Sequence, residues 1–307
     1  MSLSCYGQGT FPPAAGQVGT TAIHRDSSAI VGWATGCSIE RGFMDLSNTS
    51  LGLASFGTPA DAVGPSNPAI VSLGDSGIAT LVFDGSIYDG PGADFAIFEN
   101  SFSDSFLELA FVEVSSDGFN FFRFPATSTT PDTLQINAFG STDATHLHNL
   151  AGKYRARYGT PFDLSELSGI SGLDVNNVTH VRIIDCVGAI NPAYATYDQF
   201  SNPINDPFPT PFASSGFDLD AVAILNFNPS TGLTEQSVLV KLYPNPVTEY
   251  FWIQADGYEY CEIVDLQGRV LKYSNNKQIS LSDLPAGQYI ARVFVNSSVS
   301  SHLLQKR

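Results

Sequence analysis

The chain has 307 residues, of which 43% are hydrophobic and 12% aromatic. That is enough apolar mass for one large or two ordinary packed domains, and it argues against wholesale disorder. Charged residues make up only 14% and the formal net charge is −16, which excludes a surface that attracts the phosphate backbone of nucleic acid; no apolar run approaches the roughly 18 residues of a transmembrane helix.

Residues 1–16 are rich in Gly and Pro and read as an extended arm. Met1-Ser2-Leu3-Ser4-Cys5 has neither the charged start nor the apolar centre of an export leader, so a leader, if the protein has one, is expected to be missing from this sequence. Short strands are predicted over 30–34, 70–73, 78–83, 94–99, 109–115 and 121–124. The alternation is clear in Phe111-Val112-Glu113-Val114-Ser115, and the turn Ser116-Asp117-Gly118 follows it. The segment 145–158 breaks this rhythm. A short helix is predicted over 164–167, then a strand over 178–187 with Val181, Ile183 and Asp185 on one face and Arg182, Ile184 and Cys186 on the other.

A long loop, 191–216, carries Tyr194, Tyr197, Phe200, Phe208 and Phe212 among five prolines. A loop of this length in a compact domain goes with function or with poor order. The five rings are candidate ligand-binding residues, able to stack on sugar rings or flat cofactors; the alternative is that the prolines pin them to the domain surface. A strand over 217–224 closes a passenger domain spanning 17–227, and 228–238 is a linker by composition. Residues 239–307 hold about six or seven strands with turns at Gly257, Gly268 and Gly287, the pattern of a small immunoglobulin-like sandwich. The fold class is therefore all-β, in two domains.

The charge is uneven. Seven of the 14 Lys and Arg but only six of the 30 Asp and Glu fall in 239–307, so the negative charge lies in the passenger. Such an excess suggests bound calcium or plain solubility. In Phe217-Asp218-Leu219-Asp220-Ala221-Val222, period two puts both aspartates on one face, where they repel unless a cation sits beside them. Asp94 and Glu99, in the segment 90–100, are the next candidates. Asp94, Glu99, Asp218 and Asp220 are thus candidate ligands of a structural calcium ion, the alternative being solvated or Arg-paired groups.

Glu108 and Glu113 are the pair a glycosidase reading requires. Glu113, however, alternates with Val112 and Val114 as a solvent-facing strand residue does. No nucleophile elbow, P-loop or dinucleotide fingerprint occurs, and no catalytic residue is assigned. His146 and His148 share a side if their segment is extended, but no third metal ligand accompanies them. Cys5, Cys37, Cys186 and Cys261 include no CxxC pair. Cys37 and Cys186 either bridge in an oxidising compartment or are small core residues.

Five stretches, 71–77, 90–100, 113–118, 180–185 and 216–220, resemble those of bacterial cell-surface proteins built on a galactose-binding-like jelly-roll sandwich. The resemblance implies fold and location, a structural calcium near the closing strand, and for some such proteins a part in outer-membrane nutrient uptake, corrinoids included. Residues 239–307, with Leu242-Tyr243-Pro244-Asn245-Pro246, Leu284-Pro285-Ala286-Gly287-Gln288-Tyr289 and Lys306-Arg307, resemble the C-terminal sorting domain of type IX secretion cargo in Bacteroidetes. That resemblance implies the type IX machinery as partner and the outer cell surface or medium as destination. The combined expectation is a secreted, non-catalytic binding module for carbohydrate or another small nutrient. The alternatives are a carbohydrate-active hydrolase or lyase, an accessory of corrinoid uptake, or a structural or adhesive surface component.

Overall fold

The structure, a computed structural model, describes residues 10–229, 240–255, 257–266, 268–295 and 298–307. It divides into two compact units, residues 1–231 and 232–307. Cys5 and residues 230–238 of the expected linker lie outside the described residues. Apart from four short 3-10 turns, the described residues form strands, turns and loops, so the protein is all-β as its composition implies.

Unit 1 is a sandwich of two six-stranded antiparallel sheets. The first runs Ile23–His24, Tyr158–Phe162, Phe95–Glu99, Asp218–Ile224, Gly32–Trp33, with Val71–Ser72 also pairing to Asp218–Ile224. The second runs Phe227–Pro229, Ile78–Ile87, Val178–Asp185, Ala110–Ser115, Phe122–Arg123, with Gly36–Glu40 pairing to Ile78–Ile87. Phe227–Pro229, at the edge of the segment that reads as linker, is thus a strand of the sandwich.

Period two explains the core. Phe95 and Ile97 from one sheet meet Val112, Val114, Val181 and Ile183 from the other, and all are buried in one cluster. Ala96, Phe98, Ala221 and Ala223 fall on the opposite face of the first sheet, where Ile23, Ile30 and Trp33 cover them. A third cluster, with Leu107, Leu109, Phe111, Cys186 and Ile204, lies outside the second sheet under long connecting segments. Burying this much apolar side chain, at about 25 cal/mol per Å², is the main force holding the sheets together.

Loop 191–216 is stitched down rather than loose. Asn205, fully buried, donates from Nδ2 to the carbonyls of Pro131 (2.7 Å) and Leu134 (2.9 Å) and accepts from Ile136 N (3.0 Å). Asp198 accepts from the backbone N–H groups of Phe200 and Asn202 and from Ser128 N. Such bonds satisfy the backbone polar groups that make long buried loops costly. Cys37, Cys186 and Cys261 are free thiols. The Cys37–Cys186 bridge does not form, because Cys37 packs towards the inter-sheet core while Cys186 belongs to the cluster outside the second sheet.

Unit 2 is a smaller sandwich. Lys241–Tyr243, Tyr250–Gln254 and Gln278–Ser280 face Val270–Ser274, Tyr258–Val264, Gly287–Val295 and Ser298–Lys306 across a core that includes Phe251, Ile253, Ile263, Ala291 and Val293. The Pro-Asn-Pro segment has a structural task here. Asn245 donates to Leu303 O (2.8 Å) and accepts from Gln305 N (2.9 Å), and Val247 N bonds Gln305 O (2.8 Å). The start of the unit thereby clamps its last strand.

Candidate functional site

Three strands run out of the apolar core into carboxylates on the same inner face. Phe95 and Ile97 are followed by Glu99, Val181 and Ile183 by Asp185, and Val114, Val112 and Ala110 are preceded by Glu108. Glu99 comes from the first sheet, Asp185 and Glu108 from the second. Asp218, Asp206 and Asp75 complete the group, and all six are under a tenth exposed.

Backbone donors hold several of them in place. Asp185 accepts from Phe217 N (2.7 Å) and Ser76 N (2.9 Å), which ties the two sheets together. Asp206 accepts from Leu109 N (2.9 Å), Asp75 from Leu46 N (2.6 Å), and Asp218 from the Ser72 hydroxyl. Gly188 has a φ of +76°, and a side chain there would collide with Asp206 Oδ1, so glycine is required for this aspartate to sit where it does. Glu99 accepts from Ser101 N (2.8 Å) through Oε2, while its Oε1 is buried and has no partner.

The electrostatics are one-sided. Burial and the charge of neighbouring carboxylates raise Glu99, Glu108, Asp185 and Asp206 well above the usual carboxylate range. Burial pushes Asp218 up to about 7. None of these groups takes part in the ion pairs formed among the described residues. A group of buried carboxylates without a counter-charge must either hold protons or hold a cation.

The other sequence-derived residues fall in separate places. Asp220 sits at a β-bulge between Leu219 and Ala221, and Ser66 Oγ (2.5 Å) and Asn67 N (3.0 Å) donate to it. Asp94 lies at the opposite end of the Phe95–Glu99 strand from Glu99, about 16 Å away at 3.3 Å per residue. It accepts from Gly90 N (2.8 Å), Asn226 Nδ2 (2.8 Å) and Leu164 N (2.7 Å), and its oxygens gather with those of Asp89 and Asp163 within 4.8 Å.

Glu108 and Glu113 do not pair. They are five positions apart on one extended stretch and so face opposite ways: Glu108 inward, Glu113 outward between Arg123 (2.9 Å) and Arg182 (2.8 Å). His146 bonds Thr129 Oγ1 (2.8 Å), whereas His148 stacks on Phe11 at 5.0 Å, so the two imidazoles form no joint site.

The loop aromatics divide. Tyr194 and Phe208 pack against Val187 and Ala189. Tyr197, Phe200 and Phe212 are exposed. Phe212 continues a row of rings that the sequence reading missed: Phe102 and Phe106 are 4.5 Å apart, Phe106 and Phe139 6.4 Å, Phe139 and Phe212 5.9 Å. Phe102 is 73% and Phe139 71% exposed. The usable signal was Phe102-Ser103-Asp104-Ser105-Phe106, two large rings in an otherwise polar loop. That loop starts at Glu99 and ends at Glu108, so the carboxylate cluster anchors both of its ends.

No curated protein matches the chain. Among solved structures, a β-glucuronidase from Ruminococcus gnavus in complex with D-glucuronic acid is similar at 10% identity and a TM-score of 0.25, covering 91% of this chain and 46% of that one. The same enzyme in complex with D-glucaro 1,5-lactone gives 11% identity and a TM-score of 0.25, covering 91% of this chain and 45% of that one. The chain spans about half the length of these enzymes, and nothing about its activity is taken from so low a likeness. Residues 241–305 match the family described as the secretion system C-terminal sorting domain, and no helix among the described residues is long and apolar enough to cross a membrane. The C-terminal unit is therefore a type IX secretion sorting domain, and it marks the protein for delivery to the cell surface.

Proposed function

We propose that the exported passenger is a non-catalytic binding module for carbohydrate or another small nutrient, with a structural calcium ion at the carboxylate end of its sandwich. The observation that carries this reading is the orphaned Glu99 Oε1 among five further buried carboxylates. Calcium takes six to eight oxygen ligands at about 2.3–2.6 Å, and Glu99, Glu108 and Asp218 lie near enough to one another for their charges to raise the Glu99 and Glu108 carboxyls. No three carboxylate oxygens of this group lie within 4.8 Å of one another, so binding requires the side chains to draw in by rotamer change. The ion would fix both ends of the loop bearing Phe102 and Phe106 and so order the exposed phenylalanine row, which serves as the stacking platform for ligand. The glycosidase alternative loses its motivating pair, since Glu108 and Glu113 face opposite sides of their strand.

The test is calorimetry of the full chain against a panel of glycans and corrinoids, with calcium and with EGTA. Binding is expected in calcium, about tenfold weaker in EGTA and at least tenfold weaker, about 1.4 kcal/mol, in the double variant Phe106→Ala, Phe139→Ala. Binding that ignores both calcium and the phenylalanines contradicts the reading.

A further inference from the structure

Unit 1 holds a cavity of about 520 Å³ away from the carboxylate cluster and the phenylalanine row, in the range of small-molecule sites. The arm at Phe11 and Pro12 forms one wall and the edge of the first sheet, at Ile23 and Pro161, the other. The arm is held by a Phe11 N bond to Thr145 O (3.2 Å) and by the Phe11 ring stacked on His148 at 5.0 Å and 9°. The expected extended arm thus supplies, at Phe11 and Pro12, part of the cavity wall.

The polar groups in this cavity are unusual in what they lack. Thr160 lines it and is 4% exposed, and its Oγ1 has no hydrogen-bond partner. Lys153 lines it at 4% exposure; its ammonium bonds one carbonyl, Leu147 O at 2.7 Å, and forms no ion pair among the described residues. The ammonium also faces the rings of Tyr154 (5.5 Å) and Phe11 (6.0 Å), so its three donors have one hydrogen-bond acceptor. Glu166, by contrast, is held by Asn149 Nδ2 (2.5 Å) and lies 3.7 Å from His148 Nε2. Asn149 is buried and sits in the left-handed region at φ 51°, which asparagine tolerates.

A cavity lined by an ammonium donor, a hydroxyl and a carboxylate acceptor suits a group that both donates and accepts. A sugar hydroxyl does both, whereas a simple anion would meet Glu166 and a simple cation would meet Lys153. The apolar wall suits the C–H face of a pyranose ring. We propose that this cavity is a saccharide site for a ring of one or two units, with Lys153, Thr160 and Glu166 reading its hydroxyls and Phe11 covering its apolar face. This deepens the binding-module reading by naming a site and a ligand class, but it does not depend on calcium or on the phenylalanine row.

The test uses the full chain and a panel of neutral hexoses, hexosamines, uronic acids and their disaccharides, with methyl resonances of Ile23, Ala93 and Thr160 as reporters. At about 10 mM, tenfold above a millimolar Kd, at least one saccharide is expected to shift these resonances saturably. Thr160→Val keeps the side-chain shape and removes the orphaned hydroxyl, so it is expected to fold normally and bind about fivefold more weakly; Lys153→Met is expected to weaken binding by at least as much. If no saccharide perturbs the three residues, or if Thr160→Val and Lys153→Met bind like the unaltered chain, the saccharide site is overturned. Saccharide binding seen by calorimetry without a shift at these three residues would overturn it too, while leaving the binding-module reading intact.

Discussion

At the scale of single residues, Glu99 decides the most. Its neighbours on the inner face are Phe95 and Ile97, and a carboxylate at the next position costs folding free energy unless something positive meets it. This gives a sign reversal to look for. In EGTA, Glu99→Gln removes a repelling group from a buried acidic cluster and is expected to raise stability by about 1–2 kcal/mol. In saturating calcium the same variant is expected to be less stable than the unaltered chain. Chemical denaturation with and without calcium checks both, and an effect of the same sign in both conditions would contradict the calcium assignment. The sequence singled out Asp218 and Asp220 by alternation, because period two needs only neighbours in the chain, and Glu99 as a further candidate; Asp220 lies apart from the cluster, at the bulge. Alternation did not find Glu108, Asp185 and Asp206 as partners. Their meeting depends on how two sheets are placed face to face, and no local pattern carries that.

At the scale of elements, the strands themselves were legible wherever apolar alternation was strong. Ala110–Ser115 and Val178–Asp185 fall where the pattern puts them, and the short helix expected at 164–167 is a 3-10 turn there. Gly36–Glu40 and Tyr158–Phe162 were not legible. The first is a sheet strand whose burial is only partial, and the second carries Gly159 and Pro161, residues that weaken a strand signal. The β-bulge at Asp220 also escaped, since one extra residue changes which face follows without changing composition.

The strand ends carry a pH dependence. Burial raises the Asp218 carboxyl from 3.8 to about 7, so between roughly pH 4 and 7 the folded chain keeps a proton that the unfolded chain has lost. Without calcium, this contribution is fully present below about pH 4 and is lost as pH rises through 7. Calcium requires the ionised form, so its stabilising effect is expected to grow over the same window. Melting temperatures from pH 4.5 to 8 in EGTA and in calcium should diverge as pH rises; parallel curves would contradict the account. In unit 2, Asn245→Ala removes two bonds that hold the last strand, and is expected to cost about 1–2 kcal/mol, read by denaturation of the full chain. No change would mean that the clamp contributes little.

At the scale of the whole molecule, the two units divide the labour. Unit 2 supplies the export address, and its near-neutral composition contrasts with the acidic passenger. Its identity was legible because the Pro-Asn-Pro start, the turn-plus-strand segment and the basic end lie close in sequence. The passenger's site was not, because the cavity, the phenylalanine row and the carboxylate cluster each join segments far apart in the chain, such as Phe11 with His148 and Phe106 with Phe139. What unites the passenger reading is the claim that its inner carboxylates hold calcium. Titration of the chelator-stripped full chain with calcium at pH 7.5, by calorimetry with the melting temperature followed in parallel, tests that claim most directly. The account predicts saturable binding and, at a hundredfold excess over Kd, about 2.7 kcal/mol of added stability, seen as a rise of about 5–10 °C. No binding heat and an unmoved melting temperature would contradict it.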